Sequence, residues 1–156
     1  MAKITEGLSR YRAPRHRMQI LPGVKDTVII DDAYNASPLS LQSALFSLQE
    51  FPGARKVAVL GDMLEIGPYA MDAHTEAGRL AGKVVDLLVT IGPRATFIAE
   101  GAKKAGLARR NIYSFDLAEE AQQPVQNLIK KGDLILIKGS RAMHLEKVVE
   151  EIVNLV

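Results

Sequence analysis

The chain has 156 residues, a length typical of one domain with a buried core. Hydrophobic residues make up 47% and charged residues 24%, and the formal net charge is only +2, which argues against a nucleic-acid-binding surface. The absence of cysteine excludes disulfides, thiolate metal sites and a cysteine nucleophile. No apolar run is long enough for a signal peptide or a membrane span, so we expect a cytoplasmic protein that binds no membrane.

Short apolar segments alternate with longer amphipathic ones along the chain. Residues 17–21 fit an edge strand, which can run antiparallel to the rest. A helix is predicted after Ser37 as N-cap and Pro38 in the first turn. β-branched or aliphatic runs predict further strands, and apolar residues at helical spacing predict further helices. The predicted strands are 27–30, 57–60, 87–91, 112–115 and 134–137, and the later helices cover about 73–84, 94–104, 117–130 and 145–153.

This alternation of strands with helices is typical of βαβ units with right-handed crossovers. The sequence therefore predicts an α/β fold, a Rossmann-like three-layer sandwich. Its sheet should be mostly parallel, with about six strands and one antiparallel edge strand. Ligands of such sheets bind beyond the carboxyl ends of the strands.

Three polar clusters follow predicted strands and are expected at that edge. In the first, DDAYNASP at residues 31–38, neighbouring aspartates point to opposite faces, so that only one can reach a given ligand. An aspartate there could accept from ribose hydroxyls or hold a metal ion, Asn35 could contact a base edge, and Tyr34 could lie against a ring. The alternative is a solvated turn that leads into a helix.

The other two clusters are GDMLEIG at residues 61–67 and KGSR at 138–141. Glycines allow close backbone approach to a ligand, and Lys138 before a helix start suits an anion. Both segments can equally be turns, with Ser140 as an N-cap and Arg141 on the surface. His74 fits a packed residue better than a catalyst. The basic run at residues 12–17 is a solvated linker or brings one arginine to a phosphate.

Self-sufficient catalytic motifs are missing. No G-x-x-x-x-G-K-[ST] phosphate loop occurs, since the segment from Gly78 to Lys83 has the wrong spacing and lies in a predicted helix. No G-x-G-x-x-G follows a strand, and neither H-E-x-x-H nor G-x-S-x-G is present.

Taken in order, the motifs DDAYNASP, GDMLEIG with His74, KGSR and the entry pair His16-Arg17 resemble the C-terminal domain of the Mur ligases over essentially the whole chain. Ser37 and Gln19 depart from the residues usual in that family. The resemblance implies a three-domain enzyme of peptidoglycan synthesis. Residues 1–15 would be the tail of a central ATPase domain and its hinge, and residues 16–156 the C-terminal domain.

The implied reaction is ATP-driven amide formation. The carboxylate of UDP-N-acetylmuramoyl-tripeptide takes the γ-phosphoryl group of ATP, and the amine of D-alanyl-D-alanine then displaces phosphate from the acyl phosphate. Mg²⁺ would be held by the central domain, so that this chain has no metal ligands and no catalytic residue of its own, and by itself is inactive. The D-N-P-R signature of the relative that adds diaminopimelate is absent.

The resemblance also implies residue roles. Arg17, Asp32, Tyr34 and Asn35 would bind ATP, and Arg17 would reach its phosphates. A second group would border D-alanyl-D-alanine: Asp62, Glu65, Lys138, Gly139 and Ser140.

Three alternatives remain open at this point. The chain could belong to a sister ligase with another amino-acid substrate. It could be a stand-alone nucleotide-binding module. It could also be a response-regulator receiver domain, because Asp31, Asp32, Asp62, Thr90 and Lys138 imitate that arrangement, although a strand separates Thr90 from Lys138 and Gly139 stands where proline is expected.

Overall fold

A computed structural model describes residues 14–155 of the chain. Strands and α-helices alternate through this part, joined by short 3-10 turns. The strands are β1 (Gln19–Pro22), β2 (Val28–Asp32), β3 (Lys56–Gly61), β4 (Leu87–Ile91), β5 (Ile112–Phe115) and β6 (Leu134–Lys138). The helices are α1 (Pro38–Glu50), α2 (Ala70–Val84), α3 (Ala95–Lys104), α4 (Ala118–Leu128) and α5 (Glu146–Ile152).

The strands form a single six-stranded sheet in the order β1-β2-β6-β3-β4-β5. β1 pairs with β2 in antiparallel fashion, and the remaining neighbours are parallel. The predicted α/β class, strand number and antiparallel edge strand are therefore confirmed. The order has one consequence for function, because it inserts the last strand, β6, between β2 and β3.

Helices cover both faces of the sheet and give three layers. One face packs against α4 and α5, with Ile29, Val59 and Ile137 in the sheet and Val125 in α4. The other face packs against α1, α2 and α3, with Ile30, Leu60 and Leu136 in the sheet. The central strands β3, β4 and β6 are apolar along nearly their whole length because both of their faces are buried.

α1 begins as the sequence predicts. Ser37 is the N-cap, its hydroxyl accepts a hydrogen bond from the Ser40 amide, and Ser40 reaches back to the amide of Ser37. Pro38 occupies the first helical position, where no amide hydrogen is needed. The buried residues of α1 are Leu41, Ala44, Leu45 and Leu48, the same face that the spacing predicts.

The segment from Gly78 to Lys83, which superficially imitates a phosphate loop, lies inside α2. A Cβ at Gly78 would lie 2.0 Å from the carbonyl oxygen of Ile98, and one at Gly101 in α3 would lie 2.1 Å from that of Thr75. These glycines therefore allow α2 and α3 to pack backbone against backbone. No helix in residues 14–155 is long and apolar enough to cross a membrane.

Candidate functional site

The polar clusters meet at the carboxyl ends of β2, β6 and β3. The first pocket opens between the end of β2 and α1 and has a volume of about 630 Å³. Its polar wall includes Arg17, Asp32, Tyr34, Asn35 and Lys138. All four residues predicted to bind ATP thus line one open cavity. Its opposite wall is formed by one face of α1, with Leu39, Ser40, Ser43 and Ser47.

Asp32 and Lys138 form a buried ion pair at the edge of this pocket. They are direct register partners on the parallel strands β2 and β6. The Nζ of Lys138 lies 2.6 Å from Oδ2 of Asp32 and also donates to the carbonyl of Asn35 at 2.9 Å. Oδ1 of Asp32 accepts from the Met18 amide at 3.1 Å. The lysine is only 3% exposed, and its charge is compensated within the domain by Asp32.

Tyr34, in the wall of the first pocket, lies near two arginines. The guanidinium carbon of Arg17 is 4.1 Å from the centroid of the ring, and that of Arg141 is 5.6 Å away. Both distances are those of cation–π contacts. Because Lys138 is neutralised by Asp32, Arg17 supplies the accessible positive charge of the first pocket.

Asp31 points to the other face of β2, as expected for a neighbour of Asp32. Its Oδ2 lies 2.7 Å from Nδ1 of His16, and its Oδ1 accepts from the Ala33 amide at 3.2 Å. The side chain is 1% exposed, and burial raises the pKa of Asp31 above its ordinary value, although the bonds from Ala33 and His16 act in the opposite direction. The pair fastens the entry segment to the sheet.

The second pocket lies beside the first, with Asn35 in the wall of both. It has a volume of about 440 Å³ and carries Glu65 and Arg141 as charged lining residues. Leu64 and Ala142 supply apolar wall, and the rest comes from Ser140 and His144. Of the five residues that the resemblance assigns to the dipeptide, Glu65 and Ser140 border this pocket.

The other residues assigned to the dipeptide lie elsewhere. Lys138 belongs to the first pocket by its contacts. Asp62 is 2% exposed, and its Oδ1 accepts from the Ala95 amide at 2.7 Å, so that it caps α3. Gly139 packs against the backbone of Gly61, where a Cβ would come within 3.0 Å of the Gly61 Cα. Asp62 and Gly139 therefore shape the site from behind its surface.

Ser140 and His74 hold the loop between β3 and α2. The Ser140 hydroxyl accepts from the Leu64 amide at 2.8 Å. His74 is fully buried, Nε2 accepts from the Met63 amide at 2.9 Å, and Nδ1 lies 2.5 Å from the carbonyl of Ala70. An amide donor at Nε2 requires a lone pair there, which assigns the proton to Nδ1. His74 is thus a packed residue of the core and does not lie at the surface.

Sequence reasoning missed the serine face of α1. Ser40, Ser43 and Ser47 have the spacing i, i+3 and i+7, which places them on one side of a helix whose apolar residues face the core. That polar stripe was a usable signal, but only the tertiary structure shows that it faces Asp32 across a cavity.

The arrangement suits a polar nucleotide better than a metal ion. Within residues 14–155, no three of His, Asp and Glu gather closely enough to hold a metal. The chemistry of the first pocket suits ATP. Arg17 can bind phosphate, and the carboxylate of Asp32 retains lone pairs that can accept from ribose hydroxyls.

Comparison with known proteins gives a consistent result. The family described as "Mur ligase, glutamate ligase domain" matches residues 16–141. The UDP-N-acetylmuramoyl-tripeptide–D-alanyl-D-alanine ligase of Bacillus subtilis is 35% identical over 96% of this chain, and that of Treponema pallidum is 31% identical over 93%. The chain spans only 33% and 31% of the lengths of these relatives.

Solved structures of MurF ligases are also similar to this chain. The MurF ligase of Thermotoga maritima in complex with ADP aligns over 96% of this chain and 35% of its own, with a TM-score of 0.75 and 28% identity. MurF of Acinetobacter baumannii aligns over 97% and 33%, with a TM-score of 0.80 and 27% identity. A folylpolyglutamate synthase of Yersinia pestis, at 16% identity, shares the fold alone. The chain belongs to the Mur ligase family and corresponds to the C-terminal domain of these enzymes.

Proposed function

We propose that this chain is the ATP- and amine-binding domain of a ligase that joins D-alanyl-D-alanine to UDP-N-acetylmuramoyl-tripeptide in the cytoplasm. The observation that carries the proposal is the first pocket, which combines Arg17, Asp32, Tyr34 and Asn35 at the carboxyl end of the sheet. The relatives named above act on this dipeptide and match over nearly the whole domain.

In this proposal Arg17 leaves the ring of Tyr34 to meet the phosphates of ATP, and Asp32 accepts from the ribose. Tyr34 and Asn35 border the adenine. The phosphate loop, Mg²⁺ and the tripeptide belong to domains outside this chain, for which residues 1–15 would be the hinge. A closing domain holds reactants together and excludes water, which favours attack by the amine over hydrolysis of the acyl phosphate.

A chimeric ligase tests the proposal. In it, the C-terminal third of the Bacillus subtilis ligase is replaced by this chain, which is similar to about that share of the enzyme. We expect ATP-dependent addition of D-alanyl-D-alanine, while the 156-residue chain by itself forms no product because it has no phosphate loop. Robust coupling by the chain alone, or use of another amine in preference to the dipeptide, would contradict the proposal.

Arg17→Met in the chimeric ligase is expected to raise the KM for ATP about 10- to 100-fold, the range for losing a charge-assisted contact. The KM for the dipeptide should change much less. Arg110→Met is the matched control, since Arg110 is exposed and lies in the turn before the amino end of β5. A larger effect of Arg17→Met on the dipeptide would reverse the orientation of the two pockets.

A further inference from the structure

We propose that Arg141 binds the carboxylate of the incoming dipeptide and that Glu65 fixes the direction in which the dipeptide enters the second pocket. The inference rests on the function proposed above, and concerns residues that the sequence motifs leave undecided: Arg141 could equally have been an ordinary surface residue.

Arg141 is the accessible cation of the second pocket. It is exposed, and within residues 14–155 its guanidinium takes part in no ion pair and lies 5.6 Å from the centroid of the Tyr34 ring. Lys138, the neighbouring cation on the same motif, is already bound to Asp32. A planar guanidinium without a carboxylate partner suits bidentate binding of a substrate carboxylate.

The backbone around Arg141 is held in place. Ser140 donates its amide to the carbonyl of Asp62 at 2.9 Å, and its hydroxyl accepts from the Leu64 amide. On the other side, His144 donates its amide to the carbonyl of Arg141 at 3.1 Å. Arg141 therefore extends from a segment whose ends are fixed, which lowers the entropy cost of presenting a charge at one place.

Glu65 gives the pocket its polarity. It is exposed, lines the same cavity as Arg141, and forms no ion pair with any described residue. Its carboxylate repels the carboxylate of a ligand and attracts an amino end. The remaining wall includes Leu64 and Ala142, which suit small methyl side chains. A short zwitterionic peptide with small side chains matches this distribution of charge and apolar surface.

The second pocket adjoins the first, where ATP is proposed to bind. Asn35 lines both cavities, so the amino end of a ligand in the second pocket can approach the end of the first, where ATP is proposed to lie. If the carboxylate is bound at Arg141, the free amine of the dipeptide is the end left to react. The carboxylate anchor thus decides which end of the substrate forms the new bond.

Substrate analogues test the role of Arg141 in the chimeric ligase. D-alanyl-D-alaninamide lacks the carboxylate, and we expect the unsubstituted chimera to use it with a kcat/KM about 10- to 100-fold lower than that for D-alanyl-D-alanine. Arg141→Met should lower kcat/KM for the dipeptide by a similar factor and change that for the amide little. Arg141→Lys should restore part of the loss, and Arg110→Met should have no effect.

The outcomes separate the two proposals. Suppose that the chimera uses the dipeptide, but Arg141→Met lowers kcat/KM equally for the dipeptide and for the amide, or raises the KM for ATP instead. The proposed role of Arg141 is then wrong, while the proposed function stands. If the chimera does not use the dipeptide at all, the proposed function itself is wrong.

Binding can also be measured without catalysis, by titrating the 156-residue chain with the dipeptide and with the amide and recording ¹H–¹⁵N NMR spectra. Shifts at residues 140–144 with the dipeptide and not with the amide are expected, and equal shifts with both would contradict the anchor.

Discussion

Lys138 and Asp32 form a buried ion pair in the wall of the pocket where ATP is proposed to bind. The ion pair lies at the wall of the first pocket, yet Lys138 is 3% and Asp32 13% exposed. Removal of a single partner leaves an uncompensated charge in a poorly hydrated place. The sequence resemblance assigns Lys138 to the dipeptide, whereas its contacts group it with the proposed ATP residues, and the role itself remains a prediction.

We expect Asp32→Ala to lower the free energy of unfolding of the 156-residue chain by roughly 3–5 kcal/mol, because Lys138 would stay buried without a counter-charge. Replacing both partners, as in Asp32→Leu with Lys138→Met, should recover much of the loss. Urea unfolding measures both, with Lys103→Met as a control at an exposed pair with Glu100. A single variant as stable as the wild type would show that the pair is hydrated.

The Asp31 carboxyl predicts a pH dependence of opposite sign to that of most paired carboxylates. Burial raises its pKa, so the folded chain binds this proton more tightly than the unfolded chain. The contribution is fully present below the unfolded pKa and is lost as the pH rises through the folded value. His16 faces Asp31 directly, and Asp32, itself paired with Lys138, is the nearest other charge.

Asp31→Asn removes this titration. We expect the stability of the wild type relative to Asp31→Asn to decrease as the pH rises from about 3.5 to 7, the range that begins just below the usual aspartate pKa. Urea unfolding of both chains at several pH values measures the difference. A constant difference, or one that grows in favour of the wild type, would mean that Asp31 is not desolvated.

At the scale of elements, α2 and α3 depend on glycine for their close approach. Helical glycine normally costs about 1 kcal/mol relative to alanine, so Gly→Ala in a helix is stabilising where space allows. Here space does not allow it, because a Cβ at Gly78 would overlap the backbone of Ile98, and one at Gly82 would lie 2.7 Å from the carbonyl of Ala102. Because of this steric overlap, Gly→Ala should destabilise the chain at these positions.

Gly78→Ala is therefore expected to destabilise the chain by about 1–3 kcal/mol, the usual cost of overpacking. Gly82→Ala should destabilise it less, since its contacts are longer. Thermal or urea unfolding measures which of the two substitutions is the more destabilising. If Gly78→Ala stabilises the chain, α2 and α3 are farther apart than in this structure.

At the scale of the molecule, the two pockets proposed to bind substrates lie at the same edge of the sheet. Both pockets open at the carboxyl ends of β2, β3 and β6, whereas another open cavity, with Arg55 and Asp86, lies at the amino ends of the strands. We expect ATP to bind the 156-residue chain weakly, because most phosphate contacts belong to other domains. In ¹H–¹⁵N NMR titration, amides near Tyr34 and Asn35 should shift and those near Asp86 should not. Shifts centred on Asp86 would relocate the site.

The fold class and the approximate position of each strand and helix can be predicted from the sequence alone. Alternation of β-branched runs with amphipathic segments reflects burial on both faces of a parallel sheet, a local pattern visible without coordinates. The sequence also grouped Asp32, Tyr34 and Asn35, which follow one strand, and the resemblance to the Mur ligases added Arg17 to them. The apolar stripe that begins at residue 73 lies within α2, which begins at Ala70.

Contacts between residues far apart along the chain follow from the strand order, which the sequence does not reveal. Insertion of β6 between β2 and β3 makes Lys138 the register partner of Asp32, although 106 positions separate them, and it turns Asp62 and Gly139 inward. Strand order depends on which faces pack best across the whole sheet, and no single segment encodes that choice. For the same reason, the sequence left the role of Arg141 undecided, and the fold places it as an exposed cation in the wall of the second pocket.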